Sequence, residues 1–260
     1  MSPYIPKKAK IIDVRDETPD IKFIRVKHGI KHDPGQFIEL SILGYGEITL
    51  GITSHSDKHL DLYVRNVGNT TNALHNLKKG NDVFIRGPYG KGFPMKKMKG
   101  KSLVIIGGGT GVVPLKSVIE YVKKDRYNYH GVNIYLGFRD YENIIFKKEI
   151  KELSKKFNLK ITLDKKDKRW SGSVGQITKL IEKAKIDEGS KILLCGPPIM
   201  MKFVIETLHN KGIKDNDIYV SYERMMSCGI GKCGHCMIKG IYVCKDGPVF
   251  RYDYAKDLID

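Results

Sequence analysis

The chain has 260 residues, a formal charge of +17 and 41% hydrophobic residues. That length suits one large domain or two modest ones with an appendage, and the apolar share is enough for ordinary globular cores. No apolar run approaches the roughly 20 residues that cross a bilayer, and the opening MSPYIPKKAKIIDV has no apolar secretory core, so a cytoplasmic chain without a membrane span is expected.

Residues 1–98 read as all-β. Short alternating runs at Lys10–Val14, Ile21–Val26, Gln36–Leu40, Leu60–Val64 and Asp82–Ile85 are separated by turn-rich stretches. Closely spaced short strands of this kind suggest a small antiparallel barrel. One short helix is expected at Thr71–Leu77, opened by polar residues suited to capping.

The pattern changes over residues 99–220. Ser102–Ile106 is a continuous apolar strand that passes through glycines into an amphipathic stretch, Val113–Lys123. Apolar strands follow at Val132–Leu136, Lys160–Leu163 and Lys191–Leu194, with helical segments at Lys147–Phe157, Gln176–Ala184 and Ile199–Lys211. Alternation of strand and helix predicts a doubly wound parallel sheet, an α/β domain. Residues 221–260 have little regular period, yet they hold four of the five cysteines.

The positive charge is scattered in short groups, Lys7-Lys8, Lys96-Lys97 and Lys165-Lys166. Such a surface suits an anionic cofactor, an acidic partner or simple solvation. No aromatic-flanked RNA-binding signature accompanies it, so no nucleic-acid partner is expected.

Cys228-Gly-Ile-Gly-Lys-Cys233-Gly-His-Cys236, with Cys244 following, spells C-x4-C-x2-C-x7-C. The first three positions match the spacing that wraps a loop around a plant-type [2Fe–2S] cluster. Gly229, Gly231 and Gly234 let the backbone approach cluster sulfurs and turn sharply. A four-thiolate zinc site and disulfides are the alternatives, although a zinc ribbon normally pairs two C-x2-C knuckles and only one is present.

In Leu103-Val-Ile-Ile-Gly-Gly-Gly-Thr110-Gly111-Val-Val-Pro114 a buried strand runs through glycines into a helix, a turn that presents free N–H groups to a phosphate. Leu193-Leu194-Cys195-Gly196-Pro197-Pro198 is a second strand ending in a tight turn before a helix. Alone, the first turn is weak evidence, with a plain structural turn as the alternative, and the second adds weight to it. Cys195 suits either a nicotinamide pocket or a buried core.

These residues together resemble the ferredoxin–NADP reductase superfamily. They are similar in particular to the electron-transfer subunits of anaerobic sulfite reductase, sulfhydrogenase and dihydroorotate dehydrogenase. The resemblance rests on Pro34-Gly-Gln-Phe37, Arg65-Asn-Val-Gly-Asn-Thr-Thr-Asn-Ala-Leu74 and Arg86-Gly-Pro-Tyr-Gly90 in the barrel. In the α/β domain it rests on Gly107–Pro114, Leu136-Gly-Phe-Arg139, Trp170-Ser-Gly-Ser-Val-Gly175 and Cys195-Gly-Pro197. The cysteine loop, Cys244-Lys-Asp-Gly-Pro-Val-Phe250 and the ending Phe250–Asp260 complete it, and the compact x7 gap looks most like the sulfite reductase subunit.

The resemblance implies an FAD-binding β-barrel over 1–98, an NAD(P)-binding domain over 99–220 and a [2Fe–2S] segment over 221–260. It places FAD at Ile48, Thr49, Leu50, Gly51, Tyr63, Val64, Arg65, Thr70 and Thr71. The nucleotide falls at Gly108, Gly109, Thr110, Gly111, Arg139, Asp164, Cys195 and Gly196, and the cluster on Cys228, Cys233, Cys236 and Cys244. The family commonly has Arg-x-Tyr/Ile-Ser where this chain has Ile48-Thr49-Leu50-Gly51. Gly51 removes a side-chain hydrogen bond to the flavin, leaving a backbone N–H or water to replace it, with altered or lost flavin binding as the alternatives. Arg65 is the substitute for neutralising the pyrophosphate, or else a surface arginine at a strand end. Thr53, Ser54, His55 and His59, near the flavin rim, are expected to be exposed loop polar groups.

The implied activity is electron transfer between NAD(P)H, FAD, the cluster and the catalytic and iron–sulfur subunits of a larger redox complex. No catalytic acid or base is assigned. Asp140 and Glu142 beside Arg139, with Asp164 nearby, favour NADH over NADPH. A free-standing flavin reductase and a zinc-ribbon interaction subunit are the competing classes.

Overall fold

The computed structural model describes residues 4–258. Ile259 and Asp260 of the tail used for the resemblance, like Met1 to Pro3, lie outside the described residues. The first strands are β1 (Lys7–Thr18), β2 (Ile21–Lys27), β3 (Phe37–Ile42), β4 (Gly46–Gly51), β5 (His59–Arg65) and β6 (Asp82–Tyr89), with helix α1 (Asn69–Asn76) between the last two. They form one antiparallel, barrel-like sheet in the order β4-β3-β6-β1-β2-β5. Alternation decides its register: Ile11 pairs with Val26, Ile38 with Leu50 and Leu40 with Ile85, so one face is continuously apolar. Leu74 of α1 joins Ile24, Leu60 and Leu62 in that core.

The next strands are β7 (Leu103–Gly108), β8 (Val132–Phe138), β9 (Asn158–Leu163), β10 (Ser173–Val174), β11 (Lys191–Cys195) and β12 (Ile218–Ser221). Helices α2 (Val112–Lys124), α3 (Lys147–Lys156), α4 (Ile177–Glu182) and α5 (Pro198–His209) separate them. Pairing is parallel from β10 through β12. β7 is buried along its whole length, which is why it reads as an unbroken apolar run. Strand order is β10-β9-β8-β7-β11-β12-β15, where β15 spans Val249–Arg251. Chain order reverses between β7 and β11, and open α/β sheets bind ligands at such a switch point.

Before β15 come a two-stranded ribbon, β13 (Met237–Ile238) and β14 (Ile241–Tyr242), and one helical turn, α6 (Val243–Asp246); α7 (Tyr252–Ala255) follows it. Two compact units divide the chain. One comprises Met1–Phe93, Lys116–Glu120 and Tyr222–Val249, and the other Pro94–Leu115, Tyr121–Ser221 and Phe250–Asp260. The cysteine segment is therefore part of the barrel's unit, and the residues after it return to the α/β unit.

Candidate functional site

The cysteine loop gets its shape from glycine. Gly229, Gly231 and Gly234 have φ of +73°, +71° and +80°, the left-handed region closed to most side chains. These turns aim backbone donors at sulfur. Cys228 Sγ accepts from Ile230 N at 3.5 Å and Lys232 N at 3.4 Å, Cys244 Sγ from Gly231 N at 3.1 Å, and Cys236 Sγ from Cys244 N at 3.4 Å. Cys233 acts on the Cys228 thiol, and Cys236 and Cys228 both act on that of Cys244. No disulfide joins any of the five cysteines.

Among the described residues no three His, Cys, Asp or Glu side chains are grouped as ligands of a single metal ion. Four neighbouring thiols with N–H groups pointed at the sulfurs are the donor set of a binuclear iron–sulfur cluster, so the residues fit that group. Burial pushes the Cys228 thiol up, but N–H groups of Ile230, Lys232 and Cys233 outweigh it and bring it down to about 6. Cys244 goes the other way, to about 12, because burial and the neighbouring Cys236 both oppose its charge.

The barrel and the segment's own ends hold this loop. Lys91 N, just after β6, donates to Gly247 O at 2.5 Å, and Tyr222 N to Pro248 O at 3.0 Å closes the segment's base. Arg86 of β6 donates to Cys228 O at 2.5 Å and to Ser227 O at 3.0 Å. The Thr49 hydroxyl lies 2.9 Å from each Glu39 oxygen and 3.5 Å from Met226 O. Glu39 is buried, and that burial pushes its carboxyl up to about 7 against the pull of Thr49 and Arg86. The sequence reading missed these anchors. The usable signal was ionisable residues inside otherwise apolar strands: Glu39 in Phe37–Ile42 and Arg86 in Asp82–Tyr89.

The residues expected at the flavin divide by role. Ile48 and Leu50 pack against the barrel core, whereas the alternate position Thr49 turns to the cysteine loop. Tyr63 and Val64 are buried. Arg65 is exposed and pairs with Asp20 at 2.7 Å. Thr71 Oγ1 accepts from the N–H groups of Val67 and Gly68, both at 2.9 Å, and Thr70 Oγ1 donates to Tyr45 O at 2.8 Å. All four rim residues are corrected, none being an exposed loop group, and His59 lies in β5. Thr53 and Ser54 are buried, not exposed, because their hydroxyls cross-link the start of β5: Thr53 Oγ1 donates to Asp61 O at 2.8 Å, and Asp61 N donates to Ser54 Oγ at 3.1 Å. His55 and His59 are half-buried.

In the α/β unit the structure brings the two predicted turns together. A Cβ on Gly111 would lie 2.5 Å from Gly196 N and 2.7 Å from Cys195 C, so the turns after β7 and β11 touch backbone to backbone. Met200 of α5 packs over Gly108 and Gly196, a contact that nothing in the sequence signalled. Cys195 is fully buried at the end of β11, opposite Gly107. Arg139 follows β8 with its side chain exposed and paired with Asp140 at 3.1 Å. Asp164 N closes onto Phe138 O at 2.9 Å, which sets Asp164 at the same edge, its carboxyl pushed up by burial. Glu142 is bound by Arg169 at 2.5 Å, and Arg169 also holds Asp167 and stacks 4.4 Å from the centre of the Tyr141 ring. Of the three carboxylates expected there, Asp140 and Glu142 each meet an arginine, and Arg169 is shared with Asp167.

Comparison with known proteins matches these regions. Residues 105–206 match the family described as the oxidoreductase NAD-binding domain. Residues 223–255 match the iron–sulfur cluster binding domain of dihydroorotate dehydrogenase B. The chain is 37% identical to sulfhydrogenase 2 subunit gamma of Pyrococcus furiosus, over 97% of this chain and 96% of that one. It is 33% identical to a probable dihydroorotate dehydrogenase B (NAD(+)) electron transfer subunit of Methanocaldococcus jannaschii, over 96% and 91%. Among solved structures, an NADH-dependent reduced ferredoxin–NADP oxidoreductase superimposes with a TM-score of 0.78 at 24% identity, covering 96% of this chain and 92% of that one. A ferredoxin NADP+ reductase from Neisseria gonorrhoeae with bound FAD and NADP gives 0.68 at 21% identity, over 80% and 92%. At those identities the structures show the fold.

Proposed function

The chain belongs to the ferredoxin–NADP reductase-like family of electron-transfer subunits that includes sulfhydrogenase gamma and dihydroorotate dehydrogenase B, and on that premise we propose that it carries electrons between a nicotinamide nucleotide and the catalytic subunit of a larger redox complex. It is an oxidoreductase subunit whose cofactors are FAD, a nicotinamide nucleotide and an iron–sulfur cluster. A flavin held there would supply the exchange of one hydride, two electrons at once, with nicotinamide and of single electrons with a cluster, chemistry that the protein only has to position.

The observation that carries this reading is the loop of four neighbouring thiols built into the flavin barrel's own unit. Cys228, Cys233, Cys236 and Cys244 hold the cluster, which we take to be [2Fe–2S] from the cysteine spacing. The turn Gly108 to Gly111 and Gly196 receive the nucleotide at the switch point, with Arg139, Asp164 and Cys195 around it. Tyr63 to Arg65, the α1 start at Thr70 and Thr71, and the β4 backbone from Ile48 to Gly51 receive the flavin. Arg65 is half committed to Asp20 and must leave it to meet a pyrophosphate. No helix among the described residues is long and apolar enough to cross a membrane, and we place the complex in the cytoplasm.

Metal and flavin analysis of anoxically purified protein tests the cofactor set. The expected result is one FAD and about two irons per chain; zinc, or about four irons, overturns the cluster assignment. The partner is a finer matter. The compact x7 spacing before Cys244 favours a sulfite-reducing partner. Relatives at 37% and 39% identity, both Pyrococcus furiosus sulfhydrogenase gamma subunits, favour a hydrogenase-type partner instead. Anoxic pull-down with identification of the co-purifying subunit separates the two, and a chain that purifies alone with full turnover is a free-standing reductase.

A further inference from the structure

The peptide carbonyls of Met226, Ser227 and Cys228 lead the chain into the first cluster ligand, and all three meet side chains of barrel strands. Arg86 supplies two of those contacts from a side chain that is 9% exposed. Its five N–H donors are all in use. Nε and Nη2 form a fork on the two oxygens of Glu47, Nη2 also reaches Ser227 O, and Nη1 reaches Cys228 O and, at 3.4 Å, the Tyr89 hydroxyl. Glu47, on β4, takes its other hydrogen bond from Ser41 at 2.8 Å. The ion pair is thus oriented, with its positive end on the loop and its negative end turned to β3 and β4.

Neutral donors would satisfy two peptide carbonyls. A buried guanidinium does more, because it places a fixed charge one peptide away from a thiolate ligand. An electron entering the cluster makes it one unit more negative, and a nearby positive charge favours that state. With its fork fixed on Glu47, the planar guanidinium also holds Nη1 and Nη2 against two successive carbonyls of the loop, which a single ammonium does not. Gly229, next in the chain, has no room for a side chain, since a Cβ there would sit 2.8 Å from the Tyr89 ring.

We propose that Arg86, oriented by Glu47, is a positioning residue that fixes the Cys228 end of the iron–sulfur loop on the flavin barrel and sets the cluster's reduction potential. The proposal rests on the cluster reading given above.

The test is an EPR-monitored redox titration of the purified chain and of three variants. In Arg86→Gln the positive charge is lost while Glu47 stays, and the midpoint potential falls. In Glu47→Gln the counter-charge is lost while the guanidinium stays, and the potential rises. Arg86→Lys keeps the charge but not the fork, so its potential returns toward the parent value while its EPR lines broaden. A merely structural role would weaken the loop in both neutralising variants without moving the potentials in opposite directions. Equal or same-direction shifts in the two overturn the proposal. If Arg86→Gln does not hold iron, Glu47→Gln decides alone, and an unchanged or lowered potential there overturns it. Absence of any iron–sulfur signal in the parent protein instead defeats the cluster reading, which keeps the two failures distinct.

Discussion

The nucleotide edge and the cysteine loop are both rich in glycine, and they use it for different physical reasons. Gly111 has an ordinary helical φ of −63°, so its backbone would suit any residue. It must lack a side chain because Gly196 and Cys195 backbone atoms occupy the place of a Cβ. Gly234 is the reverse case: nothing lies within 4 Å of its would-be Cβ, but its φ is +80°. One glycine is required by space and the other by torsion. A sequence shows both as the same letter, and only the neighbours distinguish them.

The sharpest way to break the comparison is to disable one region and read the other. Replacing Cys233 with Ala should lower electron delivery to the partner by orders of magnitude, while reduction of a dye that draws on flavin survives. Metal binding and local folding are coupled, so retained flavin and a normal thermal transition are the controls. Near-full turnover with the partner would falsify the assignment of this loop as the exit from the chain.

Gly111→Ala attacks the other region. Forcing a methyl group between two touching turns should cost about 1–3 kcal/mol of stability and raise the nucleotide KM about tenfold or more, which is about 1.4 kcal/mol of binding. Both dye reduction and partner turnover should suffer, unlike the Cys233 variant. An unchanged KM would mean that the turns do not receive the nucleotide.

Cofactor choice is a smaller effect. With Asp140 bound to Arg139 and Glu142 to Arg169, the edge has less free negative charge than the bare sequence suggests. NADH is still expected to win, because each arginine already has a carboxylate that a 2′-phosphate would have to displace. Relative kcat/KM values measure it, and a preference of about tenfold for NADPH, about 1.4 kcal/mol, reverses the assignment. The smallest test is at Gly234. Ala there should cost about 1–2 kcal/mol and Asn less, since Asn visits the left-handed region more readily. Thermal transitions of the iron-loaded proteins compare them, and equal losses would refute the torsional account.

Much of this organisation was legible in the sequence. Long periodic segments such as Val113–Lys123 and continuous apolar runs such as Ser102–Ile106 fall within two residues of α2 and β7. What escaped was short or compensated. β4 is bracketed by glycines and half-exposed, β12 has four residues, and β15 has three and sits among motif residues with no period. The four thiols could be proposed as cluster ligands from their spacing, because cluster geometry restricts it. Arg86, Glu47 and Thr49 could not be assigned to the loop, since 142 residues separate Arg86 from Cys228 and no local pattern records so distant a contact.

β15 has one more consequence, for synthesis. The strand that lies beside β12 at the margin of the parallel sheet comes from chain that follows the last cysteine. A nascent or clipped polypeptide lacking it would present β12, apolar and unpaired along one side, as a template for joining another chain. Once in place, a three-residue strand is too short to template such growth itself. Resistance to aggregation is therefore acquired only after the whole cysteine segment has been made, and proteolytic loss of the tail should show first as turbidity.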